Sequence, residues 1–92
     1  MPPRPISKAP APMFAPPHPG ELVAEVMEEL GVPDTAAAEA LGLSGAALRR
    51  LLARKVPVTP DLALRLGQWA GNGPEIWLRM QQAHDLWRAN GA

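Results

Sequence analysis

Between Gly45 and Lys55 the chain carries Arg49, Arg50, Arg54 and Lys55 and no acid, whereas His18 to Ser44 carries six acids and no Lys or Arg. The net charge is zero, nine cations against nine carboxylates, and the sum by itself argues against a polyanionic partner. The segregation argues the other way, because it can give a neutral protein one cationic face that attracts phosphates. A solvated helix face with no partner would carry the same charges, and charge alone does not choose between these two readings.

Nothing else in the sequence is arranged for reaction chemistry. There is no Cys, which excludes disulfides, thiolate metal sites and thiol nucleophiles and suits a reducing compartment. His18 and His84 are far apart, with no Cys or clustered carboxylate beside either. No Ser-His-Asp order, phosphate-binding Gly-rich loop or metal-ligand spacing is present. The expectation is a non-enzymatic protein with no metal and no cofactor. No apolar run reaches the length of a membrane span, and the N-terminus lacks a signal-peptide core, so a cytoplasmic protein with no membrane partner is expected.

A chain of 92 residues allows one domain with a thin core, which a partner subunit would help to stabilise. Eight of the twelve prolines fall in the first nineteen residues, so residues 1–17 are expected to form a Pro-rich flexible tail and residues 18–92 the domain. Five helices and no strand are predicted, over 19–30, 34–41, 45–53, 60–71 and 74–89. Their starts are marked by Pro19 with Glu21, by Asp34, by Ser44, by Thr59-Pro60-Asp61 and by Pro74-Glu75. Gly31, Gly42 and Gly71-Asn72-Gly73 mark stops. The second and third helices, separated only by Gly42-Leu43-Ser44, have the helix-turn-helix layout, with Ala38 small at the crossing and Leu43 at the corner. An ordinary helical hairpin has the same spacing. All three Trp lie after residue 68, more aromatic surface than a thin core needs. A homodimer is therefore expected through the last helix, with Trp77, Met80, His84 and Trp87 near the seam.

From His18 to Arg88 the sequence resembles the HigA antitoxins, plasmid-maintenance antidote proteins of the XRE or lambda-repressor-like family. The matching residues are His18-Pro19-Gly20-Glu21, Ala38, Ala40-Leu41-Gly42-Leu43-Ser44, Arg50-Leu51-Leu52, Lys55 and Thr59-Pro60-Asp61-Leu62-Ala63-Leu64-Arg65-Leu66. Pro74-Glu75-Ile76-Trp77-Leu78, Gln81 and Asp85-Leu86-Trp87 complete them. The resemblance implies an all-α, five-helix DNA-binding domain, a homodimer on double-stranded operator DNA, and a HigB-type endoribonuclease toxin as partner. It implies capping or packing for His18.

The departures fall where DNA would be read. Family members usually place polar residues where this chain has Gly45-Ala46-Ala47, often Gln where it has Asp34, and Asn-Gly where it has Ala53-Arg54. Alanine offers a base edge only methyl contact. The candidate DNA-binding set is therefore Thr35, Ser44, Arg49, Arg50, Arg54 and Lys55, with Arg49 the base reader and Arg50 a phosphate clamp or a partner of Glu39. Two rival readings remain: a helical interaction module that has lost DNA reading, and a stand-alone regulator without a toxin.

Overall fold

A computed structural model describes residues 16–91. The described residues form five helices and no strand: α1 (Pro19–Leu30), α2 (Asp34–Leu41), α3 (Gly45–Leu52), α4 (Pro60–Ala70) and α5 (Glu75–Ala89). The bounds differ from the expected ones by one residue at the ends of α3 and α4 and at the start of α5. The expected tail, apart from Pro16 and Pro17, lies outside the described residues.

The helix ends follow from local hydrogen bonding. His18 Nδ1 accepts the Gly20 amide at 2.9 Å and the Glu21 carboxylate accepts the His18 amide at 3.0 Å, a capping box with imidazole in the place of a hydroxyl. Ser44 Oγ accepts the Ala47 amide at 3.0 Å and Thr59 Oγ1 the Leu62 amide at 3.3 Å. At the ends of α1 and α2, Gly31 and Gly42 take left-handed φ of 67° and 69°. The amides of Val32 and Leu43 then reach back to the carbonyls of Met27 and Ala38, which closes each end with a Schellman motif.

Packing arranges these helices around one small core. α2 lies against α3 and α4, α1 against α3 and α5, and α4 against α5. Val23, Leu41, Leu48, Leu51, Leu66 and Trp77 supply its bulk, each no more than 1% exposed. Buried Ala37, Ala38 and Ala63 keep the faces of α2 and α4 shallow enough for close approach. Each large apolar side chain contributes about 1.5–3 kcal/mol by leaving water.

Trp77 corrects one expectation. It is wholly buried inside the monomer, with its indole N–H donating to Asn72 Oδ1 at 2.9 Å, and so presents nothing to a partner subunit. Successive helical residues differ by about 100° in direction, which turns Trp77 into the core while Ile76 stays 37% exposed.

Two glycines are required by long-range approach. A Cβ on Gly20 would overlap the Leu51 carbonyl oxygen, where α1 meets α3. A Cβ on Gly67 would stand 2.5 Å from the Gly73 carbonyl carbon, where α4 meets the link to α5. Gly20→Ala is expected to lower the unfolding free energy in urea by about 3 kcal/mol, the upper end of the usual overpacking cost, because the obstacle is backbone and cannot swing away.

Candidate nucleic-acid interface

The α2–α3 unit presents α3 on the surface. Leu48 and Leu51 anchor its inner side, while Gly45, Ala46, Arg49 and Arg50 are all exposed. Their i, i+4 spacing puts them on one outward stripe, small residues first and cations a turn later. The Arg49 guanidinium runs back along the helix, its Nη1 3.4 Å from where a Cβ on Gly45 would be. The cation thus lies near the helix N-terminus. α1, α2, α4 and α5 each carry an acid in the first turn (Glu21, Asp34, Asp61, Glu75), and α3 carries none. The positive end of its dipole is therefore uncompensated and reinforced by Arg49.

The exit from α3 adds two more cations. The amides of Arg54 and Lys55 bond to the carbonyls of Leu51 and Arg50 at 3.0 and 2.9 Å, the same closure that ends α1 and α2. Here, however, the left-handed residue is Arg54, at φ 62°. The left-handed turn is kept without a glycine, and a cation occupies its strained position. Arg54 approaches Glu21 at 3.9 Å with both side chains about half exposed, too loose and too wet to offset that strain.

Of the other expected residues, Thr35 and Asp34 are exposed at the start of α2, where no side chain caps the helix. The Ser44 hydroxyl accepts from its own helix and keeps its hydrogen for another acceptor. Arg50 makes no ion pair with Glu39; among the described residues Arg49, Arg50 and Lys55 have no acidic partner within 4.0 Å. On α5, Met80, His84 and Trp87 are half-buried. The His84 ring meets His18 edge-on at 5.0 Å between centroids, a contact within the monomer.

Two supporting residues were not expected from the sequence. Arg65 of α4 donates to the carbonyls of Leu41 and Gly42 at 3.3 and 3.4 Å, a cation on the negative end of α2, and pairs with Asp61 at 3.2 Å. Its Nη1 stands 2.9 Å from where a Cβ on Gly42 would be, but that flexible end can swing aside, so it is the left-handed φ that asks for glycine there. Gln81 of α5 accepts the Val58 amide at 2.8 Å and donates to Asp85 at 2.9 Å. The i, i+4 spacing of Asp61 to Arg65 and of Gln81 to Asp85 is readable in the sequence; the links to residues 41, 42 and 58 are not.

Burial lowers the His18 pKa from its ordinary 6.5, and His84 lowers it further; the Val56 backbone and Glu21 act upward and Arg54 downward. The direction matches the cap, since Nδ1 can accept the Gly20 amide only when unprotonated. Among the described residues no three His, Asp or Glu gather to hold a metal, and no helix is long and apolar enough to cross a membrane.

A short helix anchored by its inner face, a tight glycine turn behind it and cations on its outer side define a helix-turn-helix protein. The solved HigA-family antidote protein of Coxiella burnetii is 34% identical, with a TM-score of 0.77 over 83% of this chain and 84% of that one. Antitoxin HigA-1 of Vibrio cholerae is 38% identical over 69 residues, 74% of this chain and 65% of that protein. The Pseudomonas aeruginosa antitoxin HigA, solved with the higBA promoter, is 29% identical, with a TM-score of 0.74 over 83% of this chain and 87% of that one. No family profile matches the chain. The chain belongs to the HigA family of antitoxins.

Two outcomes are expected. Arg54→Gly should raise the unfolding free energy by about 1 kcal/mol, read in urea, by relieving the left-handed arginine. Because the folded pKa of His18 lies below the unfolded one, its contribution is present above about pH 6.5 and is lost as pH falls through the folded value. The wild-type Tm should therefore drop more steeply on acidification than that of His18→Asn, which keeps a capping side chain without the titration.

Proposed function

We propose that the protein is a homodimeric, operator-binding repressor and an antitoxin that neutralises a HigB-type endoribonuclease toxin in the cytoplasm. The observation that carries the DNA half is the outward stripe of α3, whose cations, with Lys55 beyond it, have no acidic partner among the described residues. In this reading Arg49, whose guanidinium lies over Gly45, reads a guanine, and Arg50, Arg54, Lys55 and Ser44 hold phosphates, with Thr35 at their edge. The likeness to the Pseudomonas protein solved with promoter DNA supports the same assignment.

The homodimer rests on α5. Ile76, Met80, Ala83 and Trp87 stand at i, i+4, i+7 and i+11, so they share one stripe, and none of them is fully buried. With Trp77 in the core, Met80 and Trp87 are the seam residues, and His84 flanks them. The toxin half rests on relatives named as antitoxins. The interaction-module reading draws on the bare Gly45-Ala46-Ala47 entry to the stripe, which has no side-chain donor for a base.

The test is binding to the protein's own promoter fragment across a salt series, with sedimentation to confirm the dimer. Two recognition helices about 34 Å apart would enter successive major grooves. Neutralising about six phosphates predicts a slope near −5 for the logarithm of affinity against the logarithm of salt, at about 0.9 per phosphate. Arg49→Ala should cost roughly 1–3 kcal/mol at one base position, and Arg50→Ala should weaken all sequences alike. The double variant should still neutralise the toxin. Absence of binding at low salt by a dimeric protein would favour the interaction module.

A further inference from the structure

We infer that Gln81 is a positioning residue for DNA binding, pinning to α5 the loop that carries Arg54 and Lys55. The inference rests on the operator-binding function proposed above and assigns a role in it to a buried residue of α5, outside the outward stripe of α3.

Residues 53–59 link α3 to α4 and contain no repeating hydrogen bonds of their own. At the upstream end the turn is closed by the bonds from Arg54 and Lys55 back to α3, but the left-handed Arg54 makes that closure a strained one. At the downstream end the buried Val58 amide has one partner, the Gln81 side-chain oxygen at 2.8 Å. Gln81 is 8% exposed, and its amide is held in one orientation because the nitrogen donates to Asp85 at 2.9 Å. Oxygen and nitrogen are thus assigned by their partners: the oxygen must face an N–H, the nitrogen a carboxylate. Val56, between the two ends, lies beside His18, the cap of α1.

Lys55 and Arg54 thus sit at the upstream fixed point, three and four residues from the downstream one at Val58. Without the downstream point, the loop would sample more arrangements, and DNA would have to order it on binding. The helix that supplies the pin also bears the proposed dimer stripe. One rigid element would then set both the spacing of the two recognition helices and the placement of the flanking phosphate contacts. A purely apolar packing residue at position 81 would fill the same space and provide neither bond.

The experiment compares the wild type, Gln81→Met and the exchange variant Gln81→Glu/Asp85→Asn in promoter binding across salt, with amide exchange measured on the free proteins. Methionine keeps the volume and removes the acceptor. In the exchange variant the carboxylate introduced at position 81 accepts from the Val58 amide and from the side-chain amide introduced at position 85, which rebuilds both bonds with the charge unchanged. Gln81→Met is expected to lose about tenfold in affinity, to flatten the salt slope by about two per dimer, at 0.9 per phosphate, and to speed Val58 exchange at least tenfold. The exchange variant is expected to recover all three. A folded Gln81→Met dimer with the wild-type slope would overturn the inference and leave the DNA-binding function standing. A wild-type dimer that binds no promoter DNA would overturn both. If Gln81→Met does not fold, the wild type still decides: a Val58 amide that exchanges as fast as an unprotected loop amide overturns the pin.

Discussion

An eight-residue helix has no stability of its own in water, and α3 is one whose outer side must remain uncovered if it is to meet anything. Everything that holds it has to act from one side or from its ends. Leu48 and Leu51 insert into the core, Ser44 closes the N-terminus, and the backbone of α1 at Gly20 lies directly against the Leu51 carbonyl. The absence of a side chain at Gly20 is thus a condition for α3 being seated at all. The same economy recurs at α2, where buried Ala37 and Ala38 let α3 and α4 share its surface.

Electrostatics separates α3 from its neighbours. Four helices begin with a carboxylate that satisfies the positive dipole end, and α3 begins with Gly45-Ala46-Ala47 under the Arg49 guanidinium. Leaving that end uncompensated costs a few tenths of a kcal/mol to about 1 kcal/mol, and left-handed Arg54 about 1–2 kcal/mol more. Stability has been given up at both ends of one short helix, and in both places the result is concentrated positive charge. Structural demand alone would place an acid at the first and glycine at the second.

The supports behind the turn come from distant parts of the chain. Arg65 reaches from α4 to the end of α2, Gln81 from α5 to the loop after α3, and His84 from α5 to the cap of α1. Arg65 meets carbonyls left open where α2 ends, the place where a helix cannot satisfy itself, Gln81 satisfies a buried loop amide, and His84 packs edge-on against the capping imidazole. The dependence of α1 on an unprotonated His18 follows from the same arrangement, since the capping atom is also the titrating one.

The amino-acid sequence determined the five helices of the described residues, their ends to within one residue, and the α2–α3 turn. Those features depend on groups within four residues of one another: Ser44 with Ala47, Thr59 with Leu62, His18 with Gly20 and Glu21, and glycines able to take positive φ. The outward cations were legible too, because a helical period places Arg49 and Arg50 opposite the Leu48 and Leu51 face. Only the tertiary structure decided which tryptophan is core, since Trp77 and Trp87 are equally apolar and differ only in what α4 and α1 bring near them. It also decided that Gly20 and Gly67 are points of backbone contact, that Arg65 and Gln81 serve residues more than twenty positions away, and that Arg54 keeps a glycine's conformation. Periodicity records which face of a helix is apolar, and it carries no information on which other helix will cover that face or whose unpaired carbonyl will lie beside it.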